Sequence, residues 1–201
     1  MKVFKLSSIF VIILILVLSL SACEINTEVL ENVNLSNIEL EIEKKYLIDK
    51  DNIPYDLNNY NYFEIYQTYI NYSPELRVRK IRYKNQEFYM MAVKRYVNEN
   101  ALTREELDFY VTEEEYNNTV ARGLDNTIHK FRYQIEEGDL TYCIDIFKDA
   151  LEGLAYLEIE FDSEESANSF ETPSWVIEDV TNDRSYKNAQ LAQFGIPIKE
   201  N

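Results

Sequence analysis

The stretch Glu39-Leu40-Glu41-Ile42-Glu43-Lys44-Lys45-Tyr46-Leu47-Ile48 decides how this chain folds. Glu41, Glu43 and Lys45 recur at a period of two, with Leu40 and Ile42 interleaved. Successive residues of a strand point to opposite faces of a sheet, so the segment has one ionic face and one apolar face. The same alternation returns at Arg77/Arg79, Lys94, Arg104/Glu106/Asp108, Lys130/Arg132, Asp145 and Glu158/Glu160. The interleaved partners, among them Val78, Met91, Val93, Leu107, Phe109, Phe131, Ile144, Leu157 and Ile159, form a face able to pack a core. The charged face must line something wet, ionic or both. In any single segment the pattern reads equally well as a solvent-facing strand with weak ion pairs, each worth roughly 0–1 kcal/mol. Its repetition along the chain argues for an enclosed ionic surface.

Ahead of this pattern lies a segment read as an export signal. Lys2 and Lys5 make a positive start, Ile9 to Leu18 is an unbroken apolar run, and Leu20-Ser21-Ala22-Cys23 ends it with small residues. The run is short for a membrane span of about 20 residues, and Leu-Ser-Ala-Cys resembles a bacterial lipobox. Residues 1–22 are therefore expected to be a lipoprotein signal peptide, with an uncleaved transmembrane anchor as the alternative. Residues 23–37 would be a lipidated Cys23 and a polar tether, and 38–201 a single domain. The expected location is the outer side of a bacterial cytoplasmic membrane, held by the lipid. With Cys23 acylated only Cys143 remains, so the domain must stand on its core without an intrachain disulfide.

The full chain has a formal charge of -16. Without Lys2 and Lys5 it has 18 basic against 36 acidic residues, or -18. No basic stripe is available for nucleic acid, and no nucleic-acid partner is expected. The basic residues are instead concentrated on the alternating face, where an acidic protein can still bind an anion.

From Glu39 onward no linker-like stretch interrupts the chain. Strands are expected near 39–48, 62–72, 76–84, 87–95, 104–111, 127–136, 140–148 and 154–162. Turns are expected at Lys84-Asn85-Gln86, at Glu137-Gly138-Asp139 and around Gly153. Short helices fit 113–121, 163–170 and 185–193, the first two with Thr112 and Ser163 as caps. About eight strands with one charged face do not suit a sandwich, whose inner face is apolar. The expected fold is mainly β: an eight-stranded antiparallel closed barrel with a polar lumen and a few short flanking helices. An outer-membrane barrel would put the apolar face toward lipid, but the helices and the lipobox-like sequence speak against it.

In order along the chain, Glu41-Ile42-Glu43-Lys44-Lys45, Arg77-Val78-Arg79, Ala92-Val93-Lys94, Arg104 to Phe109, Lys130-Phe131-Arg132, Ile144-Asp145-Ile146, Leu157-Glu158-Ile159-Glu160 and Tyr186-Lys187-Asn188 resemble the CYTH domain. This is also called the triphosphate tunnel metalloenzyme superfamily. The resemblance implies a barrel whose lumen binds a triphosphate together with Mg²⁺ or Mn²⁺. Ala92 and Asp108 depart from the Thr and Glu that bacterial members often have there.

Triphosphate and metal together account for both signs on one surface. Arg and Lys suit phosphate oxygens, a role that falls to Lys45, Arg77, Arg79, Lys94, Arg104, Lys130 and Arg132. Hard divalent cations take carboxylate oxygens, for which Glu41, Glu43, Glu158 and Glu160 are the first choice. Glu106, Asp108 and Asp145 complete a second metal site or hold the basic residues. Glu158 or Glu160 would position the attacking water and Lys45 would support the leaving phosphate. No Walker motif occurs, so side chains must replace a backbone phosphate cradle. His129 is read as an outward-facing residue and Cys143 as a small lumen filler. The activity these residues imply is metal-dependent triphosphate hydrolysis. A non-catalytic polyphosphate-binding module is the alternative, and an adenylyl cyclase comes third.

Overall fold

Period-two segments become strands when one face finds a core and the other an interior that accepts charge, and here both conditions are met. In a computed structural model of the chain, the described residues are 38–97, 101–123 and 127–198. The expected signal peptide, Cys23 and the expected tether lie outside them. The described residues form nine strands: β1 (Glu39–Ile48), β2 (Tyr62–Tyr72), β3 (Glu75–Tyr83), β4 (Gln86–Tyr96), β5 (Thr103–Tyr110), β6 (Thr127–Glu137), β7 (Leu140–Phe147), β8 (Ala155–Glu160) and β9 (Val176–Asp179). The spatial order is β5-β4-β3-β2-β6-β7-β8-β1, and β1 pairs back onto β5 to close the barrel. Every pairing is antiparallel. Closure leaves the first eight strands without a free edge along the wall.

The short β9 was not expected. It pairs with Tyr46–Ile48, beyond the part of β1 that β5 reaches. Its sequence, Val176-Ile177-Glu178-Asp179, is too short to carry a period of its own.

Among the described residues three α-helices flank the barrel: α1 (Glu113–Val120), α2 (Glu164–Ser169) and α3 (Asn188–Phe194). α1 opens with a full capping box, in which Thr112 accepts from the Glu115 N–H and Glu115 accepts from the Thr112 N–H. Its C-terminal turn fits closely on β2, since a Cβ at Gly123 would come within 2.6 Å of the Thr68 methyl. The helix expected over 185–193 is divided: a 3-10 turn at Arg184–Tyr186 precedes α3, because Lys187 between them is extended (ψ 141°). The expected turns hold residues in the left-handed region, Lys84 (φ 53°), Gly138 (φ 64°) and Gly153 (φ 95°).

Two apolar clusters fix the barrel. One lies outside the wall of β1, β6, β7 and β8, where Ile42, Tyr46, Ile144, Leu157 and Ile159 pack beneath Phe161, Ala167 and the half-buried Phe170 and Trp175. Each such aliphatic side chain contributes about 1.5–3 kcal/mol by leaving water. The other cluster joins lumen-facing Tyr69, Ile128, Phe147 and Tyr156 to Val180, Tyr186, Leu191 and Ala192 of the C-terminal segment. It caps one end of the barrel. Leu40, expected on the packed face, is 61% exposed and belongs to neither cluster.

Candidate active site

Strand register carries the alternating charges into one lumen. Glu41 lies opposite Arg104, Arg77 opposite Ala92, Ala92 opposite Asp108, and Lys94 between Glu75 and Glu106. On the other side Lys45 faces Glu158, Glu158 faces Cys143, Arg132 faces Asp145, and Glu43 faces Glu160. The structure brings all of the sequence-predicted lumen residues into this one interior.

The β6–β8 side is tightly paired. Asp145 has zero exposure, and its carboxylate accepts from Lys130 and from Arg132, whose Nε is 2.7 Å away. Arg132 also donates to Glu158, and Lys45 Nζ stands 2.8 Å from the other Glu158 oxygen. Burial would raise the Glu158 pKa, but Lys45, Arg132 and Lys130 together hold it well below the usual range. Burial likewise opposes charge on Lys45, yet Glu158 and Glu43 keep its pKa above normal. Burial and the neighbouring Arg132 lower that of Lys130.

Toward β3–β5, each cation again has a carboxylate. Arg77 reaches Glu106 at 3.2 Å, Arg79 reaches Asp108 at 2.8 Å, and Lys94 lies between Glu41 (2.7 Å) and Glu106 (2.9 Å). Arg104 stands 2.9 Å from Glu41. Against the pull of burial, Arg104 and Lys94 hold the Glu41 carboxyl strongly ionised. Polar capacity is nonetheless left over: Arg77 Nε, Arg79 Nε and Asp108 Oδ1 are buried and make no hydrogen bond.

Glu43 and Glu160 are different. Glu43 Oε1 is only loosely neutralised, at 3.8 Å from Lys45 and 3.9 Å from both Arg104 and Lys187, and it accepts no hydrogen bond. Glu160 is solvent-exposed and forms no ion pair with the described basic residues. The enclosing protein and the Glu41 and Glu43 carboxylates push its pKa up to about 8. Because its side chain opens onto water, the repulsion is the cause that survives hydration. Among the described residues no group of three carboxylate, histidine or cysteine side chains is arranged to hold a metal ion by itself. The carboxylates point instead at lysine and arginine, and Glu43 and Glu160 have the most oxygen capacity to spare.

Some lumen residues escaped the sequence reading. Glu75 is buried opposite Lys94 and 3.7 Å from Arg104. It belongs to the same period as Arg77 and Arg79, a signal that the expected start of β3 at 76 concealed. Gln67 and Tyr69 also point inward, and Gln67 donates to the Tyr69 hydroxyl at 2.7 Å. Lys187 enters the lumen from the C-terminal segment, and no strand period marks it. His129 lies on the outer wall as expected, stacked on Tyr66 and held between Glu64 and Asp149. Burial pushes the Cys143 thiol up to about 12, which suits a filler rather than a nucleophile.

No family model matches the sequence. It is 28% identical to an inorganic triphosphatase of Nitrosomonas europaea over 154 residues, 76% of this chain and 96% of that protein. A crystal structure of the inorganic triphosphatase NE1496 superposes with a TM-score of 0.53 at 27% identity, covering 76% of this chain and 93% of that one. A conserved hypothetical protein from Pyrococcus furiosus shares the fold at a TM-score of 0.50 and 22% identity, over 64% and 82% of the two chains. The closed eight-stranded barrel and the similarity to these relatives support a CYTH-type domain, the triphosphate tunnel fold.

Proposed function

We propose that the protein hydrolyses triphosphate, inorganic triphosphate first, with the help of a divalent cation, inside the barrel lumen. The observation that carries this reading is the lumen itself. Lys45, Arg77, Arg79, Lys94, Arg104, Lys130, Arg132 and Lys187 share it with an equal number of carboxylates: Glu41, Glu43, Glu75, Glu106, Asp108, Asp145, Glu158 and Glu160. Such a lumen is close to neutral when all are ionised. A polyanion entering alone would meet as many repelling as attracting groups, whereas a polyanion with cations satisfies both sets.

Mg²⁺ or Mn²⁺ would be held by Glu43 and Glu160, with Glu41 beside them. It would supply charge neutralisation on the phosphate oxygens and a more acidic water. The remaining work falls to the chain. Arg77 and Arg79 offer their free Nε donors to a phosphoryl group, and Lys94 and Arg104 flank it. Glu160, with its raised pKa and access to water, is suited to position the attacking water and take its proton. Lys45, kept charged by Glu158, supports the leaving phosphate. Asp145 has no oxygen free and acts by holding Lys130 and Arg132 in place.

The binding-module alternative rests on the same cations but leaves Glu43 and Glu160 without a task. Residues 1–37 are proposed to export the chain and to anchor it through a lipid on Cys23 at the outer side of the cytoplasmic membrane. The test is phosphate release from tripolyphosphate by a soluble form beginning at Glu24, with Mg²⁺, with Mn²⁺ and with chelator. Metal-dependent release supports the proposal. Tight binding without release would favour the binding module, and cyclic AMP formation from ATP would favour the cyclase.

A further inference from the structure

The lumen is not ionic all the way round. On β2, β3 and β4 the register partners of lumen cations are apolar: Phe63 lies opposite Arg132, Ile65 opposite Lys130, and Met90 opposite Arg79. Ile81 joins them, paired with Ile65 on one side and with Phe88 on the other. Paired residues share a face of the sheet, so these side chains face the lumen. The outer wall carries the charge here instead, as in the Glu64–Arg82 pair at 3.5 Å. The cap closes the end of the barrel that Tyr69 and Ile128 mark. Ile65 and Phe63 follow on β2 away from Tyr69, so the apolar wall lies between the ionic lumen and the uncapped end.

This wall is dry and self-contained. Ile65, Ile81 and Met90 are each 3% exposed, and Phe63 stacks on Tyr83 with ring centroids 4.6 Å apart. None of Phe63, Ile65, Ile81 and Met90 belongs to either apolar cluster that fixes the barrel. Inorganic triphosphate has no use for such a surface. Steering a polyanion calls for cations along its way in, and apolar side chains offer its oxygens no hydrogen bond. The plain alternative, a small core that only fills this quarter, predicts no preference among phosphate compounds.

We propose that this wall receives an alkyl chain esterified to the phosphate chain, so that the lumen takes a diphosphate or triphosphate ester of an apolar alcohol. The inference rests on the triphosphate reading above and names a substrate class for it. Arg79 and Ile81 are two strand residues apart, about 7 Å, within reach of the first carbons of an ester whose phosphate Arg79 holds. An alkyl chain fits better than a nucleobase, because Phe63, Ile65, Ile81, Phe88 and Met90 have no side-chain group to read a base's polar edge. The chemistry is that of the proposed hydrolysis. Water attacks the terminal phosphorus and gives up its proton, and the bond from that phosphorus to the bridging oxygen breaks. The electron pair stays on the bridging oxygen, and orthophosphate and the ester shortened by one phosphate leave. A chain held at a membrane, as proposed for residues 1–37, would meet such amphiphiles at its surface.

The experiment uses the full chain at one detergent concentration with Mg²⁺, and measures phosphate release from tripolyphosphate, butyl diphosphate, octyl diphosphate and ATP. Each methylene group removed from water is worth about fourfold, so kcat/KM should rise by at least about 10-fold from the butyl to the octyl ester. Ile81→Asn and Met90→Gln keep size and add polarity. Each should lower the ratio of octyl diphosphate to tripolyphosphate kcat/KM by about 10-fold, whereas Met90→Leu should hold that ratio. Where Ile81→Asn fails to fold, Met90→Gln and the wild-type chain-length comparison decide. Equal kcat/KM for the two esters beside normal tripolyphosphate turnover would remove this inference alone, and so would a preference for ATP over octyl diphosphate. Wild-type protein that releases phosphate from none of the four would remove the triphosphate reading, and this inference with it.

Discussion

Two quarters of one lumen use the same residue types for opposite ends. Around Asp145 every charge is engaged at close range, and the carboxylate without exposure holds two cations at once. Around Glu43 and Glu160 the contacts stretch to 3.8–3.9 Å or are absent, and the Glu160 carboxyl is pushed toward protonation. The first arrangement is finished without a ligand. The second leaves ionic capacity unmet, which in the proposed function a cation and phosphate oxygens would take up. Preorganised cations beside underused carboxylates are what electrostatic stabilisation of phosphoryl transfer calls for.

Substitutions can break that contrast, starting where the effect is largest. Asp145→Ala leaves Lys130 and Arg132 buried without a counter-charge and should cost about 3–5 kcal/mol of stability, read from urea unfolding; a loss below 1 kcal/mol would mean the two cations re-pair easily. Glu43→Gln should do the reverse. Its fold should be kept, with a smaller stability loss than Asp145→Ala because its contacts are long, while metal-dependent kcat falls by about 100- to 1,000-fold. Full activity would take Glu43 out of the cation site.

Arg79→Ala should act mainly on binding and raise KM for tripolyphosphate by about 10- to 100-fold. An unchanged KM would place Arg79 outside the substrate's reach.

Glu160 sharpens the comparison through pH. Its folded pKa of about 8 lies above the ordinary value of 4.5, so the native state holds a proton that the unfolded chain releases between those values. This group's contribution to stability is present below pH 4.5 and is lost as pH rises through 8. A cation competing for the same carboxylate should bind more tightly as pH rises toward 8, by up to about ten-fold per unit. Titrating Mg²⁺ affinity in wild type and in Glu160→Gln checks this, and parallel pH profiles would refute it. At the far end of the scale, Lys50→Ala breaks an exposed pair with Asp51 on the outside and should change stability by less than about 0.5 kcal/mol and activity not at all.

Much of the architecture could be read from the chain because a strand's two faces are a local property. Eight segments were located to within two residues, and Thr112 and Ser163 were legible as caps because capping depends only on residues three positions on. Leu40 shows where the pattern misleads. Its alternation is sound, yet it is 61% exposed and joins neither apolar cluster of the described residues, and cover is a matter of the whole fold. β9 was missed, and Lys187, quoted only within a motif, was given no place in the lumen, for a related reason: one has no period, and the other reaches the lumen from a cap whose place is set by packing on Tyr69 and Tyr156.

By itself, the sequence determined that charges of both signs share one face of nearly every strand and that this face must line something wet, ionic or both. Side-chain direction along a strand follows from backbone geometry alone. Only the tertiary structure decided which charge meets which. Glu41 finds Lys94 and Arg104, Arg132 finds Asp145 and Glu158, and Glu43 and Glu160 are left underused. Such pairings depend on strand order and register around a closed barrel, and burial multiplies their electrostatic consequences in a way that local sequence cannot express.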